Sequence, residues 1–231
     1  MTTLIHKIAL LALLAGSSVT VMAAAPDGAA PRPPVPRPGL FLEETWQQVP
    51  AGGEQPISQA HVANPALELK LYGPENAELQ VTGIPVGAEG YDANPIHTWS
   101  GLCGAGCTFA LRHRDSFADL TGAARIMVQS KTSGFHKIHP FIKLADGSTY
   151  IGNYEIGQTS DFLFSEFRIQ DVQWIVFNTD TGVTRGILLD AIDLSKVDEI
   201  GFTDLQPGAD HGAGGWSDVA IIRVYANAVP R

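Results

Sequence analysis

Apolar residues recur at every second position through most of this chain, and that period constrains its fold more than any other feature. In "ALELKLYG", Leu67, Leu69 and Leu71 alternate with Glu68 and Lys70. Similar alternation runs through "ARIMVQS", "FSEFRI", "EIGFTDL" and "VAIIRVYA". Successive side chains of a β-strand point to opposite faces, so the pattern predicts strands with one buried face. Because no run of twelve residues carries a convincing helical stripe, we predict an all-β protein.

Turn signals separate these strands at intervals of roughly ten residues, as in all-β domains. The clearest is Asp146-Gly147 in "KIHPFIKLADGSTYIGNY", since glycine readily supplies the positive φ that a tight hairpin turn needs. Pro140 cannot donate a ladder hydrogen bond, which predicts an edge or a bulge at that point. Many short strands joined by turns are typical of sandwiches. We predict a single jelly-roll β-sandwich over residues 40–229.

The first 39 residues have a different composition. Residues 1–25 combine a basic Lys7, a short apolar run over 8–15 and small residues towards Ala25, the pattern of a secretory signal peptide. The run is too short to span a bilayer comfortably, although an uncleaved anchor is the alternative. Residues 26–39 are rich in proline and predict an extended linker. We therefore expect a periplasmic or secreted protein with no stable membrane insertion after cleavage.

The charge balance bears on the class of partner. The 231-residue chain has 15 basic and 24 acidic residues, a formal net charge of -9. Nucleic-acid-binding proteins present basic surfaces, so this balance argues against a nucleic-acid partner.

The two cysteines, Cys103 and Cys107, lie close together in "SGLCGAGCTF". In an exported protein such a pair predicts a small disulfide across a tight turn, with free thiols as the alternative. A metal site is a weaker interpretation because two thiols rarely suffice and there is no second pair.

The second half of the chain carries a recognisable order of segments. "DLTGAARIMVQS" is followed by "KLADGSTY", then by "FSEFRI" and a strand with Trp174, and finally by "IDLSKVDEIGFTDLQPG" and "SDVAIIRVYA". Over residues 119–226 this order resembles the galactose-binding-like β-sandwich superfamily. The rhythm is most similar to the complex I intermediate-associated protein 30 family and to calcium-bearing carbohydrate-binding modules. It also resembles a group of exported bacterial proteins for which we can name no activity.

The resemblance implies a candidate calcium site. Many such sandwiches join the first strand to the last through a structural calcium ion. Here the carboxylates at the matching places are Glu43 and Glu44 in "FLEETW" and Asp218 at the start of the final strand. Calcium takes six to eight oxygen ligands, but this sequence lacks the dense acidic spacing of an EF-hand loop. The alternative is that Asp218 caps a turn and both glutamates are solvated.

Carbohydrate is the ligand class we favour from the sequence. Sugar rings stack on aromatic side chains while polar groups bond their hydroxyls. The candidate ligand-binding residues are Trp99, Arg125, His136, Tyr150, Tyr154 and Trp216. We expect Arg125, Gln129, His139 and Lys143 to share one concave face. The alternative for a tryptophan within a β-run is the core, which we favour for Trp174.

A stand-alone lyase, isomerase or glycosidase on the same scaffold is the second reading. A catalytic histidine needs both a cleft and an orienting carboxylate. The candidate acid–base residues are His136, His139, Asp204, Asp210 and His211, of which we favour His139, Asp204 and His211. A third reading is an assembly role like that of the resembled chaperone-like family. A deep pocket at His139 would favour the enzyme, and an open aromatic face would favour binding.

Overall fold

The regular structure of the protein is β-strand. The computed structural model describes residues 36–50, 53–74, 76, 79–83, 96–97, 106–134, 136–205 and 216–231. The strands, numbered along the chain, are β1 (Leu40–Glu44), β2 (Glu54–Pro56), β3 (Leu67–Tyr72), β4 (Gln80–Gly83), β5 (Ile96–His97), β6 (Cys107–His113), β7 (Ser116–Asp119), β8 (Arg125–Ser133), β9 (Ile138–Leu144), β10 (Thr149–Gly152), β11 (Leu163–Arg168), β12 (Trp174–Asn178), β13 (Val183–Leu189), β14 (Val197–Asp204), β15 (Trp216–Tyr225) and β16 (Asn227–Pro230). Two short 3₁₀ helices span Gln59–His61 and Ile169–Asp171. None of the helical turns in these ranges has the length and hydrophobicity of a membrane span.

The strands assemble into two main antiparallel sheets. The small sheet has four strands in the order β1-β15-β8-β11. The large sheet follows the path β13-β12-β10-β9-β14-β6-β3, and β7 pairs with both β14 and β16. A third sheet joins β2, β4 and β5. The predicted all-β jelly-roll sandwich is confirmed.

The core lies between the small and the large sheet. Ile126 and Val128, predicted to share one face of β8, are fully buried there against Phe109, Phe202 and Ile222. Trp174 is also in this core, as predicted. Full burial of one such apolar side chain contributes about 1.5–3 kcal/mol, so the alternating pattern supplies the main driving force for the sandwich.

The predicted hairpin is formed by β9 and β10, with Gly147 at φ +90° in its turn. Pro140 lies in β9, which runs between β10 and β14 and is therefore not an edge strand. Its ladder with β10 nevertheless ends at Phe141, so Pro140 has a paired strand on one side only. That position tolerates a residue without an amide hydrogen.

The large sheet curls until its opposite edges meet. The amide of Gly73, just after β3 at one edge, donates to the carbonyl of Thr179 at 2.8 Å. Thr179 belongs to the turn between β12 and β13 at the other edge. In the same turn, a Cβ on Gly182 would lie 2.7 Å from the oxygen of Gly106, so glycine is required for the approach. The outer face of the large sheet is therefore concave.

The predicted signal peptide lies outside the described residues. The chain divides into two units, Met1–Pro34 and Val35–Arg231, and every described residue belongs to the second. Residues 36–39, the end of the predicted linker, have no regular structure and lead into β1.

Candidate functional site

The concave face carries a second, smaller apolar cluster. Ala110, Phe141, Ile151 and Phe177 point away from the main core and are nevertheless buried on this face. Tyr72 packs against them, with its ring centroid 5.6 Å from that of Phe141. The floor of the face is therefore apolar and aromatic.

A polar row crosses the concave face beside this floor. Glu68, Arg112, Glu199 and Lys143 are register partners on the neighbouring strands β3, β6, β14 and β9. They alternate along their strands with core residues, so the strand period itself places them on one face. Opposite charges in directly facing positions stabilise such a row.

Glu199 is the centre of this row and is almost fully buried, with 2 % of its surface exposed. The Tyr72 hydroxyl donates to its Oε2 at 2.7 Å. The Lys143 ammonium lies 3.3 Å from Oε1 and donates to the Tyr72 hydroxyl at 3.1 Å. Both carboxylate oxygens are thus held by side chains that are themselves only partly buried. Tyr72, Lys143 and Glu199 are called the Glu199 cluster below.

The cluster changes the acidity of its members. Burial and the hydrogen bond to Glu199 raise the pKa of Tyr72 to about 12. Burial alone would lower the pKa of Lys143, but the Tyr72 hydroxyl and the Glu199 carboxylate together raise it. Tyr72 is therefore a neutral donor and Lys143 a cation throughout the physiological pH range.

At its Glu68 end, the polar row continues into a network of partly exposed ion pairs around Glu68 and Arg112. Arg112 Nε lies 3.0 Å from Asp198 Oδ1, and its Nη1 lies 3.3 Å from Glu68 Oε2. Lys70 Nζ lies 3.0 Å from the same Glu68 oxygen, and this contact, opposed by partial burial, lowers the pKa of Glu68. The rim therefore presents both signs of charge close together.

Asp204, a predicted catalytic residue, lies at the end of β14 and points into the sandwich. Its Oδ2 is 2.5 Å from Nδ1 of His136 and accepts a hydrogen bond from the Ser217 hydroxyl at 2.8 Å. All three side chains are buried. His136, predicted as a ligand-binding residue and as an acid–base candidate, lies beside Asp204 in the interior.

His139, the histidine we paired with Asp204, lies on the concave face opposite Thr203. Its Nδ1 is 3.3 Å from the carbonyl oxygen of Gly152, and burial lowers its pKa. The hydrogen-bonded partner of Asp204 is therefore His136 rather than His139. His211, the third predicted member, lies outside the described residues.

The three predicted calcium ligands do not meet. The carboxylate of Glu44 is completely buried and accepts hydrogen bonds from four backbone amides, those of Thr45 (3.1 Å), Trp46 (2.6 Å), Ala63 (2.8 Å) and Asn64 (3.2 Å). Glu43 forms an ion pair with Arg223. Asp218 is five residues from Arg223 on β15, about 16 Å along an extended strand. No group of three metal-binding side chains occurs in the described part of the chain.

The predicted ligand-binding residues are also dispersed. Arg125 and Gln129 lie on β8 of the small sheet, so they do not share a face with His139 and Lys143. The reason is that β8 and β9, adjacent in sequence, belong to different sheets.

The predicted aromatic platforms do not form one open surface in the described residues. Tyr150 and Tyr154 both pack against the main core, and the Tyr154 ring stacks on Phe167 at 4.3 Å between centroids. Both partly buried side chains therefore contribute to core packing. Trp99 and the side chain of Trp216 lie outside the described residues, as does Cys103. Cys107 is buried and disulfide-bonded.

Sequence reasoning missed Tyr72 and Glu199. A signal was present, because Glu68, Lys70 and Tyr72 alternate with the core leucines of β3 and Glu199 alternates with the core residues of β14. The pattern placed these side chains on a face away from the core, but it did not bring the two strands together.

No protein-family model matches this chain, and no curated protein matches it. Among solved structures, it is similar to a family 11 carbohydrate-binding module from Clostridium thermocellum in complex with a β-1,3-1,4-mixed-linked tetrasaccharide (14% identity, TM-score 0.43, 77% of this chain and 98% of that one). Another structure of a family 11 module, from the cellulase Lic26A-Cel5E of the same organism, has 11% identity and a TM-score of 0.42 over 77% of this chain and 97% of that one. The structure of TmCBM61 in complex with β-1,4-galactotriose has 10% identity and a TM-score of 0.37 over 69% of this chain and 88% of that one. Because these sequence identities and TM-scores are low, we infer the ligand of this chain from its own residues.

Proposed function

We propose that this protein is an exported carbohydrate-binding β-sandwich whose ligand, a neutral glycan, lies across the concave face of the large sheet. The observation that carries the proposal is the Glu199 cluster. A buried carboxylate has both oxygens bonded by the partly exposed side chains of Tyr72 and Lys143. Such partners can rotate away, and sugar hydroxyls, which both donate and accept, can take their places.

The floor and the charges of the face support the same ligand class. The partly exposed ring of Tyr72, supported from beneath by the buried apolar cluster, offers a surface for the C–H face of a sugar ring. The polar groups around it are of both signs, with Glu68 and Glu199 beside Arg112 and Lys143. A mixed array suits an uncharged ligand with many hydroxyl groups better than a strongly charged one.

Export is part of this proposal. It is supported by the signal-peptide pattern of residues 1–25 and by the disulfide-bonded state of Cys107, since disulfides persist in oxidising compartments. Cys103 is the other cysteine of the chain and is its proposed partner. We include no calcium ion in the proposal, because Glu43 and Glu44 lie far from Asp218.

Isothermal titration calorimetry with the full chain and a panel of neutral oligosaccharides of glucose, galactose, xylose and mannose tests the proposal. We expect measurable binding of at least one, weakened tenfold or more by Lys143→Gln, which removes the ammonium from the cluster.

The matched control is Lys137→Gln. Lys137 pairs with Glu155 at the surface, 2.5 Å away and about half exposed, so its substitution should leave affinity unchanged. Binding by Lys143→Gln at the affinity of the parent chain, or no binding of any neutral glycan, would contradict the proposal.

A second candidate function is general acid–base catalysis by His136 with Asp204. The observation in its favour is their 2.5 Å contact, because an orienting carboxylate is what a catalytic histidine requires. Product analysis after incubation with the same glycans distinguishes the two functions. Cleavage abolished by Asp204→Asn, with binding retained, would establish the enzyme, and intact glycans would leave the binding function.

A further inference from the structure

A cavity of about 330 Å³ opens at the end of the small sheet, away from the concave face. It is lined by Arg37, Gly122, Ala123, Arg125, Glu166, Arg168 and Gln170. Three of these side chains are arginines, in a chain whose net charge is -9. Gly122 and Ala123 leave room between them because neither has a long side chain.

Two of the arginines face each other directly. Arg125 at the start of β8 and Arg168 at the end of β11 are register partners. Like charges in directly opposed cross-strand positions destabilise a sheet. A negative group between the two guanidinium groups would remove that repulsion.

Arg125 is held in position for such a group. Its guanidinium carbon lies 3.7 Å from the centroid of the Tyr225 ring, and its Nε lies 3.3 Å from Glu166 Oε2. Its Nη1 is buried and has no hydrogen-bond partner among the described residues. A buried donor without an acceptor is unfavourable, and a ligand oxygen that the side chain can reach would satisfy it.

Arg168 is the exposed wall of the cavity. Its Nη2 lies 2.7 Å from Asp171, but 62% of its side chain is exposed, so it can turn towards a ligand. Arg37 adds a third cation from the segment before β1. Three guanidinium groups against the two carboxylates of Glu166 and Asp171 leave the cavity with one excess positive charge.

We propose that this cavity binds an oxyanion, with Arg125 and Arg168 donating to it from both sides. Arginine presents its N–H groups in a planar fork that matches carboxylate, sulfate and phosphate oxygens. The cavity is at the small end of the range for ligand sites, which fits a free anion or the acidic group of a single sugar residue. This proposal is independent of the neutral-glycan site.

Thermal unfolding of the full chain with sodium sulfate, sodium phosphate or sodium glucuronate tests it, since a ligand of the native state raises the midpoint with its concentration. Sodium chloride at the same ionic strength is the reference. We expect a saturable rise in the midpoint beyond that of chloride. A rise with sulfate or phosphate alone identifies a free inorganic anion, and a rise with glucuronate identifies an acidic sugar.

Two substitutions localise the effect. Arg125→Gln and Arg168→Gln should each weaken the anion response tenfold or more, and the exposed Arg168 can be replaced without loss of folding. Arg185→Gln on β13 is the control, because Arg185 is exposed and lies on the other sheet. A response to every salt equal to that of chloride, or a response that Arg168→Gln leaves unchanged, would overturn the proposal.

Discussion

Two buried glutamates of this protein, Glu44 and Glu199, are satisfied in different ways. Glu44 is bonded by four backbone amides, two beside it in sequence and two from Ala63 and Asn64. Glu199 is bonded by the side chains of Tyr72 and Lys143. Both carboxylates are nearly inaccessible to water, yet their hydrogen-bond partners differ in conformational freedom.

The difference separates a structural carboxylate from a candidate functional one. Backbone amides in a folded chain cannot rotate away, so Glu44 fixes the segment at Ala63 against β1 and its carboxylate is committed to the backbone. Tyrosine and lysine side chains can change rotamer without unfolding the sheet. Burial alone is therefore a poor guide to function, and the chemical nature of the partners is a better one.

The largest effect is expected from Glu44→Ala. Removing the carboxylate leaves four backbone amides, all buried or partly buried, without their acceptor, and we expect the free energy of unfolding to fall by about 3–5 kcal/mol. Urea denaturation with linear extrapolation measures it. The neighbouring Glu43→Ala, which breaks a partly exposed ion pair, should cost no more than about 1 kcal/mol. A loss of less than about 1 kcal/mol for Glu44→Ala would show that Glu44 does not hold the segment at Ala63 against β1.

Glu199→Gln should have the opposite profile. We expect glycan affinity to fall tenfold or more, about 1.4 kcal/mol. We expect the free energy of unfolding to fall by only about 1–2 kcal/mol, because an amide keeps one acceptor for Tyr72. Calorimetry and denaturation of the same sample give both numbers. If Glu199→Gln loses stability but keeps full affinity, the two glutamates are alike and the comparison fails.

The acidity of Tyr72 gives a third test. Because its pKa is raised from about 10 in the unfolded chain to about 12 in the folded one, its contribution to stability is complete below pH 10 and is lost as the pH rises from 10 to 12. Phenolate absorbance should reveal a late-titrating tyrosine. Tyr72→Phe should remove that transition at a cost of about 1 kcal/mol. An unchanged titration in Tyr72→Phe would mean that the late group is another tyrosine.

The smallest effect concerns His139, further along the concave face. Burial lowers its pKa, so the unfolded chain takes up the proton first and stability falls as the pH drops below the unfolded value of about 6.5. His139→Gln should reduce this acid-side loss, measured as the unfolding midpoint between pH 7 and pH 5. An identical pH profile in His139→Gln would assign the loss to other groups.

The strands were predictable because burial of one face imposes a period of two on the residues themselves. Ile126 and Val128 on β8 and the Asp146-Gly147 turn follow from that rule and from the conformational freedom of glycine. The sites were not predictable in the same way. Tyr72 and Glu199 are 127 residues apart in sequence, and their contact depends on which strands pair and on how far the large sheet curls.

The predicted calcium ligands do not meet for the same reason. Neighbouring carboxylates at the end of β1 have the right chemistry for a metal, but the fold surrounds Glu44 with amides and pairs Glu43 with Arg223. Spacing along one strand is a local property, whereas a coordination shell needs groups from several strands.

The sequence by itself determined that this chain forms a β-sandwich, which residues face its core, and that its first residues have the pattern of an export signal. Only the tertiary structure decided which polar residues meet. It separated Asp204 from His139 and paired it with His136, and it set Arg125 against Arg168. The physical reason is that the direction of a side chain follows from its own strand, whereas its neighbours follow from strand register, sheet order and curvature, which are properties of the whole chain.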